Sequence, residues 1–186
     1  EESVLAATRD ALYGWTAERP VIKQEAHGVP AYLYLFDHGY PAASAFGLHA
    51  FHAAEVPYVF GTAGRTTKLW PAIPAADAEA EMSEAMGEYW ASFARSGQPR
   101  ARRQPQWPRY SEHPGGAWMH FAEVPRVAYA LLPAQYRLHE EVVSRRRRQG
   151  DTPWNWNTGI VAPILPCLVY SSAAADDLPL CAPGVR

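Results

Sequence analysis

Lysine, cysteine and long apolar runs are all scarce in this sequence of 186 residues. The basic residues are 15 arginines and only 2 lysines, and the net charge is −2 at neutral pH. That balance gives no electrostatic reason to expect nucleic acid or an anionic membrane surface as a partner. No run of about 18 apolar residues occurs, which is the length that a helix needs to cross a bilayer. The composition therefore argues against nucleic-acid-binding and membrane-spanning proteins.

Only two cysteines are present, Cys167 and Cys181, and both lie near the end of the chain. One bridge at that place could not organise a core, so their pairing and the redox compartment stay open. The first residues, Glu1 to Ser3, contain neither an initiator Met nor a signal-like apolar stretch. We therefore expect that the natural polypeptide begins upstream of Glu1. Cytoplasm, periplasm and secretion all remain open as locations.

Apolar residues make up 48% of the chain and charged residues 19%, which is enough for one packed core. The apolar periodicity predicts helices over 1–13, 75–96 and 133–149, and a helical stretch over 16–27 that Pro20 breaks or restarts. Compact apolar runs predict a buried strand over 30–36 and a short strand over 118–121. The remaining segments 37–56 and 100–115 are interpreted as a long connection and a polar surface loop.

The candidates for chemistry concentrate in the connection over 37–56. His52 lies there among small residues, which is the placement that a general-base histidine needs in order to reach a substrate. His49, His52 and Glu55 are three residues apart and could also be interpreted as metal ligands on one helix face. No helical pattern covers them and no fourth ligand is nearby, so we predict neither a metal site nor a cofactor.

Three blocks of the sequence, in order, carry a resemblance to a known family. They are Ala50-Phe51-His52-Ala53-Ala54-Glu55 with the following Val56-Pro57-Tyr58-Val59-Phe60-Gly61, then Tyr89 to Pro99, then Trp107-Pro108-Arg109-Tyr110. These blocks resemble the C-terminal part of type-B carboxylesterases, the carboxylesterase/cholinesterase family. The segment Tyr32 to His38 lies upstream, where that family has a strand. The resemblance covers roughly residues 30–110, with weaker similarity as far as Asn157.

The resemblance implies an α/β fold class, namely the C-terminal portion of an α/β-hydrolase sandwich. The chain would hold the last strands of the central sheet with flanking helices and would be incomplete without the N-terminal part. Residues 1–166 would form this portion of the carboxylesterase domain, and residues 167–186 remain an unassigned, flexible tail.

The resemblance also implies a serine esterase that works through an acyl-enzyme. His52 would be the base that takes the proton of the nucleophile and later activates water. Glu55 matches an acidic residue of the family near that histidine, and we interpret it as a buried structural partner, since the family's triad acid lies upstream. Phe46 and Phe51 lie six residues and one residue before His52 and predict an apolar substrate pocket.

Three parts of such an esterase are missing from this sequence, and one of them is a residue that matches the triad acid. None of the nine serines lies in a Gly-x-Ser-x-Gly nucleophile elbow, and the glycine run of the oxyanion hole is absent. The chain is therefore predicted to supply the catalytic histidine of a carboxylic-ester hydrolase but to be inactive alone. Its expected partners are a small-molecule ester and the missing N-terminal part of the same enzyme. The alternative is a non-catalytic interaction module derived from an esterase.

Overall fold

The structure, a computed structural model, describes residues 2–150. The predicted tail over 167–186 and both cysteines lie outside the described residues. The described elements are α1 (Glu2–Arg9), a π-helical turn (Asp10–Trp15), α2 (Thr16–Ala26), β1 (Leu33–Phe36), α3 (Pro41–Ala45), α4 (Val56–Val59), α5 (Asp77–Ser96), β2 (Ala117–Phe121), β3 (Pro125–Tyr129) and α6 (Pro133–Arg148), with short 3₁₀ turns at Ala63–Arg65 and Tyr110–Glu112.

The N-terminal helical region is less interrupted than the sequence predicts. Pro20 lies inside α2 instead of breaking it, so that expectation was wrong. The helical bonding is instead rearranged just upstream, in the π-helical turn Asp10–Trp15. A π-helical turn and a proline each remove or shift hydrogen bonds of the regular i→i−4 pattern. Here the π-helical turn ends at Trp15, five residues before Pro20, and the helix continues through both. The predicted stop is confirmed, because α2 ends at Ala26 and Gly28 takes a left-handed φ of 75°.

The sheet has three strands in the order β1-β2-β3 within residues 2–150. β1 pairs with β2 in parallel, with Phe36 opposite Phe121, and β2 pairs with β3 antiparallel. The sequence did not predict β3, a short strand of mixed polarity that starts at Pro125. β1 was expected to be buried on both faces, but Tyr34 and Leu35 are each 37% exposed. The central strand of the described sheet, β2, is instead the one in which every residue is buried.

Helix α5 packs its apolar stripe against one face of this sheet. Met82, Met86 and Tyr89 are at most 2% exposed, which confirms the predicted helix and the inner part of its stripe. Phe93, at the end of the stripe, remains 48% exposed. Helix α5 ends at Gly97, whose left-handed φ of 70° closes the last turn.

Trp107 departs most clearly from the sequence-based expectation. It was placed in a surface loop, yet it is only 6% exposed and belongs to the same core as Tyr89 and Phe121. Its indole N–H donates to the carbonyl of Leu33 at 3.2 Å. A buried Trp needs such an acceptor, and the backbone at the start of β1 supplies it.

The predicted long connection over 37–56 is partly helical. It holds α3, and α4 (Val56–Val59) begins at its last residue. Both helices carry a proline in the first turn, where its missing N–H costs no hydrogen bond. None of the helices within the described residues is long and apolar enough to cross a membrane.

Candidate functional site

His52 lies in a tight turn between the sheet and α4. The turn is closed by backbone bonds from Ala54 N to Phe51 O at 2.9 Å and from Val56 N to Ala53 O at 3.0 Å. Ala53, the residue after His52, has a left-handed φ of 64°, a conformation that L-residues adopt only under local constraint. The His52 side chain is half-buried. The backbone thus turns sharply at the predicted base.

Glu55 lies directly before α4, where its carbonyl accepts the amide hydrogens of Tyr58 and Val59, each at 3.0 Å. Its side chain is half-buried, not fully buried as the sequence led us to expect. Burial and the negative charge of Glu55 together raise the pKa of Tyr34 to about 12.

His49 takes part in a different interaction from His52. Its Nε2 lies 3.1 Å from Oδ1 of Asp37, the residue that follows β1. Among residues 2–150, no group of three His, Cys, Asp or Glu side chains is arranged to hold a metal ion. The spacing of His49, His52 and Glu55 therefore does not translate into a metal centre in the structure.

Asp37 also contacts the second strand. Its Oδ2 lies 3.1 Å from Nε2 of His120, and Nδ1 of His120 accepts a hydrogen bond from Nε of Arg126 at 3.1 Å. Arg126 is the cross-strand partner of His120 in the β2–β3 register. The sequence analysis missed these residues. The polar pair Asp37-His38 directly after an apolar strand was the signal that could have indicated Asp37.

A second polar cluster is buried beside the first. His38 Nε2 and the Tyr58 hydroxyl both lie close to Oε2 of Glu79, at 2.8 and 2.6 Å. His38 Nδ1 lies 2.8 Å from the carbonyl oxygen of Ala122. His38 and Glu79 are only 7% and 8% exposed, and Tyr58 is fully buried. This cluster joins the end of β1, the start of α5 and α4, and sequence analysis did not identify it.

The two predicted pocket residues differ in their surroundings. Phe46 follows α3 and is 68% exposed. Phe51 is half-buried, and its ring lies 4.9 Å from that of Trp70. Phe51 also packs against the small core cluster formed by Tyr40, Ala43 and Leu48. Phe46 is thus available to a ligand or a partner, whereas Phe51 supports the segment before His52.

An open groove of about 710 Å³ lies elsewhere, between α2 and α6. Trp15, Tyr110 and Tyr136 line it together with Glu18, whose pKa is raised because burial disfavours its charged form. His52 is not among its lining residues. The groove is therefore separate from the predicted catalytic turn.

Comparison with known proteins assigns this arrangement to a family. The sequence profile of the carboxylesterase family matches residues 1–138. The chain belongs to the carboxylesterase family. The match contains the sheet, the His52 turn and both polar clusters, and it confirms the resemblance drawn from the sequence blocks.

Relatives of this carboxylesterase chain are considerably longer. A medium-chain fatty acyl-CoA hydrolase precursor of Anas platyrhynchos is 31% identical over 113 residues, which are 59% of this chain and 19% of that protein. Carboxylesterase 1F of Mus musculus is 27% identical over 157 residues, 80% of this chain and 26% of that protein. The carboxylesterase chain thus spans about a fifth to a quarter of the length of these relatives.

A solved structure supports the same assignment. The carboxylesterase EST55 of Geobacillus stearothermophilus superimposes with a TM-score of 0.52 at 26% identity, over 65% of this chain and 24% of that one. The fold class predicted from the sequence is confirmed: the described carboxylesterase chain is part of an α/β-hydrolase fold.

Proposed function

We propose that this chain is the C-terminal part of a serine carboxylesterase and that His52 is its general base. The observation that carries the proposal is the family match over residues 1–138, which contains His52 in a sharp turn outside the sheet. Such a turn lets a ring reach a reacting group without disturbing the packed strands. The parent enzyme is the proposed protein formed by this chain and an upstream part that carries the nucleophilic serine.

The proposed reaction has two half-steps. The serine hydroxyl of the upstream part attacks the ester carbonyl while His52 accepts its proton. His52 then gives that proton to the departing alkoxide, which leaves as the alcohol, and an acyl-enzyme remains. In the second half-step His52 takes a proton from water, the hydroxide attacks the acyl-enzyme, and the proton returns to serine as the carboxylic acid leaves.

The substrate we propose is an ester with an apolar or aromatic group. Phe46 supports this choice, because its phenyl ring is 68% exposed and offers apolar surface six residues before His52 in the chain. Phe51 contributes from the half-buried side of the same segment. The upstream part would complete the pocket around these rings, since pockets of this kind enclose most of the surface of a ligand.

The partner we propose is the upstream part of the same enzyme. Within residues 2–150, β1 pairs with β2 only, which leaves its other edge open for a further strand. Leu69 and Phe60 are 96% and 73% exposed, and both lie in the region that follows the His52 turn. Large exposed apolar side chains and an open strand edge are each typical of a surface that another part of the fold covers.

The proposal is tested with the chain alone and with the parent enzyme. The 186-residue chain should hydrolyse p-nitrophenyl esters no faster than its own His52→Ala variant, because nothing in it forms an acyl-enzyme. Co-expression with an upstream segment that contains an in-frame Gly-x-Ser-x-Gly should restore turnover. Turnover by the chain alone that disappears in His52→Ala would contradict the proposal, because the nucleophile would then lie within these residues.

A further inference from the structure

The segment that carries His52 is tied to the sheet at both ends, and the two ties start from adjacent residues. In the first tie, Asp37 contacts His49, which lies three residues before His52. In the second tie, His38 and Tyr58 both contact Glu79, and Tyr58 lies six residues after His52. Both Asp37 and His38 follow β1 immediately, and the amide of Asp37 donates to Phe121 O at 2.7 Å. That bond extends the β1–β2 pairing by one residue and fixes the backbone from which both ties start.

The first tie has a defined direction of hydrogen bonding. A guanidinium has no acceptor, so Arg126 can only donate to Nδ1 of His120, at 3.1 Å from Nε and 3.0 Å from Nη2. The proton of the His120 ring therefore lies on Nε2, where it is donated to Oδ2 of Asp37. The other carboxylate oxygen, Oδ1, lies 3.1 Å from Nε2 of His49, within ion-pair distance. Asp37 is thus positioned by His120 on β2, and it in turn positions His49 in the loop.

The position of the His49 ring is also set by its close approach to the backbone of Gly39. A Cβ on Gly39 would come within 2.4 Å of Nδ1 and 2.7 Å of Cε1 of that ring. The ring therefore lies directly on the Gly39 backbone, and any side chain at that position would displace it. His49 is largely exposed, at 63%, so contact with Asp37 and Gly39 rather than burial determines its position.

The second tie is buried, so a polar group in it that lost its hydrogen-bond partner would destabilise the fold more than one at the surface. The carbonyl of Ala122 can only accept, so Nδ1 of His38 carries a proton, and one further proton lies between Nε2 and Glu79. Burial, followed by the contact with Glu79, raises the pKa of Tyr58, so its hydroxyl stays protonated and donates to Oε2. The Ser83 hydroxyl adds a bond to Tyr58 O at 2.9 Å, which ties α4 to α5 once more.

We propose that Asp37 and His38 are positioning residues for ester hydrolysis, holding the two ends of segment 49–58 so that His52 is aimed at the reacting serine. Neither residue needs to touch the substrate; each acts through the loop. Misplacing a catalytic group by about 1 Å can cost a factor of about 10² in rate, so two ties at the ends of a ten-residue segment matter for turnover. This inference rests on the proposed function of His52.

The test uses the parent enzyme, with rates expressed per active site titrated. Asp37→Asn leaves a single acceptor oxygen for the two histidines and removes the negative charge, so it should lower kcat about tenfold while KM stays within about twofold. His49→Ala should lower kcat about three- to tenfold, and His49→Gln should recover most of it, because the glutamine amide places an N–H near the position of Nε2. Asp77→Asn, on the exposed first turn of α5, is the matched control for removing one carboxylate.

The second tie is tested by Tyr58→Phe, which keeps the ring and removes only the donor to Glu79. It should lower kcat about fivefold and speed amide hydrogen exchange across residues 49–58. Variants that lower the melting temperature but leave kcat per active site and loop exchange unchanged would overturn the positioning role and leave a purely structural one. A fully active His52→Ala enzyme would overturn the proposed function itself, and this inference with it.

Discussion

Tyr58 donates its hydroxyl hydrogen to the buried carboxylate of Glu79 at 2.6 Å. The contact joins the helix that follows the His52 turn to the first turn of α5, the longest helix of the described fold. Glu79 is 8% exposed and Tyr58 fully buried, so water does not compete for this bond. The place of α4 against the core is therefore set by a polar contact as well as by apolar packing.

Tyr58→Phe should destabilise the protein by about 1–3 kcal/mol, because it leaves a buried carboxylate with one donor fewer. The aromatic ring and its packing against Phe36, at 5.5 Å, are kept, so the loss reports the hydroxyl. Urea denaturation of the parent enzyme measures the free energy of unfolding. Tyr129→Phe, at a ring that is 53% exposed, is the control and should change it by less than about 0.5 kcal/mol.

Trp107→Ala should be among the most destabilising single substitutions, at about 3–5 kcal/mol. Its ring is buried, lies 5.4 Å from that of Tyr89 and 5.5 Å from that of Phe121, and anchors Leu33 through its N–H. Phe93→Ala removes an aromatic ring that is 48% exposed and should cost markedly less. Equal losses of unfolding free energy in the two variants would contradict the placement of Trp107 in the core.

Glu18→Gln should stabilise the protein more at pH 7 than at pH 4. Burial raises the pKa of Glu18, and the hydrogen bond from Tyr110 at 2.7 Å offsets only part of the rise. The folded state therefore holds the proton more tightly than the unfolded state, so stability is lost as the pH rises through the ordinary carboxyl range and above it. Glutamine keeps an acceptor for Tyr110 and removes the charge.

Melting temperatures of the Glu18→Gln and unmodified proteins at the two pH values check this prediction. Glu141→Gln, on an α6 side chain that is 54% exposed, corrects for the general effect of removing one negative charge. A Glu18→Gln difference that is the same at pH 4 and pH 7, or larger at pH 4, would show that the folded state does not hold the Glu18 proton more tightly.

The 186-residue chain expressed alone should bind ANS strongly or be poorly soluble, and co-expression with the upstream part should rescue it. The reason is the apolar surface around Phe46, Phe60 and Leu69, together with the open edge of β1. Size-exclusion chromatography and ANS fluorescence measure both properties. A monodisperse monomer with a sharp two-state thermal transition would instead favour a self-contained module.

The sequence predicts best the elements whose periodicity is strong. Helix α5 follows from the spacing of Met82, Met86 and Tyr89, since a stripe of large apolar residues on one face has few alternatives to burial. Strand β3 could not be predicted, because it begins with Pro125, includes the charged Arg126, and depends for its pairing on β2 rather than on its own pattern. The interior place of Trp107 was missed because four arginines around it suggested solvent.

The residues of the candidate site also differ in how well the sequence predicts them. His52 was predicted through a family motif that is continuous in sequence. Asp37, His38 and Glu79 were not, because their partners lie 12 to 84 residues away and meet only after the sheet and α5 are in place. Long-range polar contacts leave no periodic trace, so composition and spacing do not reveal them.

The comparison of His52→Ala with His49→Ala in the parent enzyme tests the central claim most directly. If His52 is the base, its alanine variant should lower kcat for a p-nitrophenyl ester by about 10³-fold or more, as expected when one member of a catalytic unit is removed. His49→Ala, which removes only a loop contact with Asp37, should lower kcat by at most about tenfold. Comparable losses in the two variants, or full activity of His52→Ala, would contradict the assignment of His52 as the catalytic base.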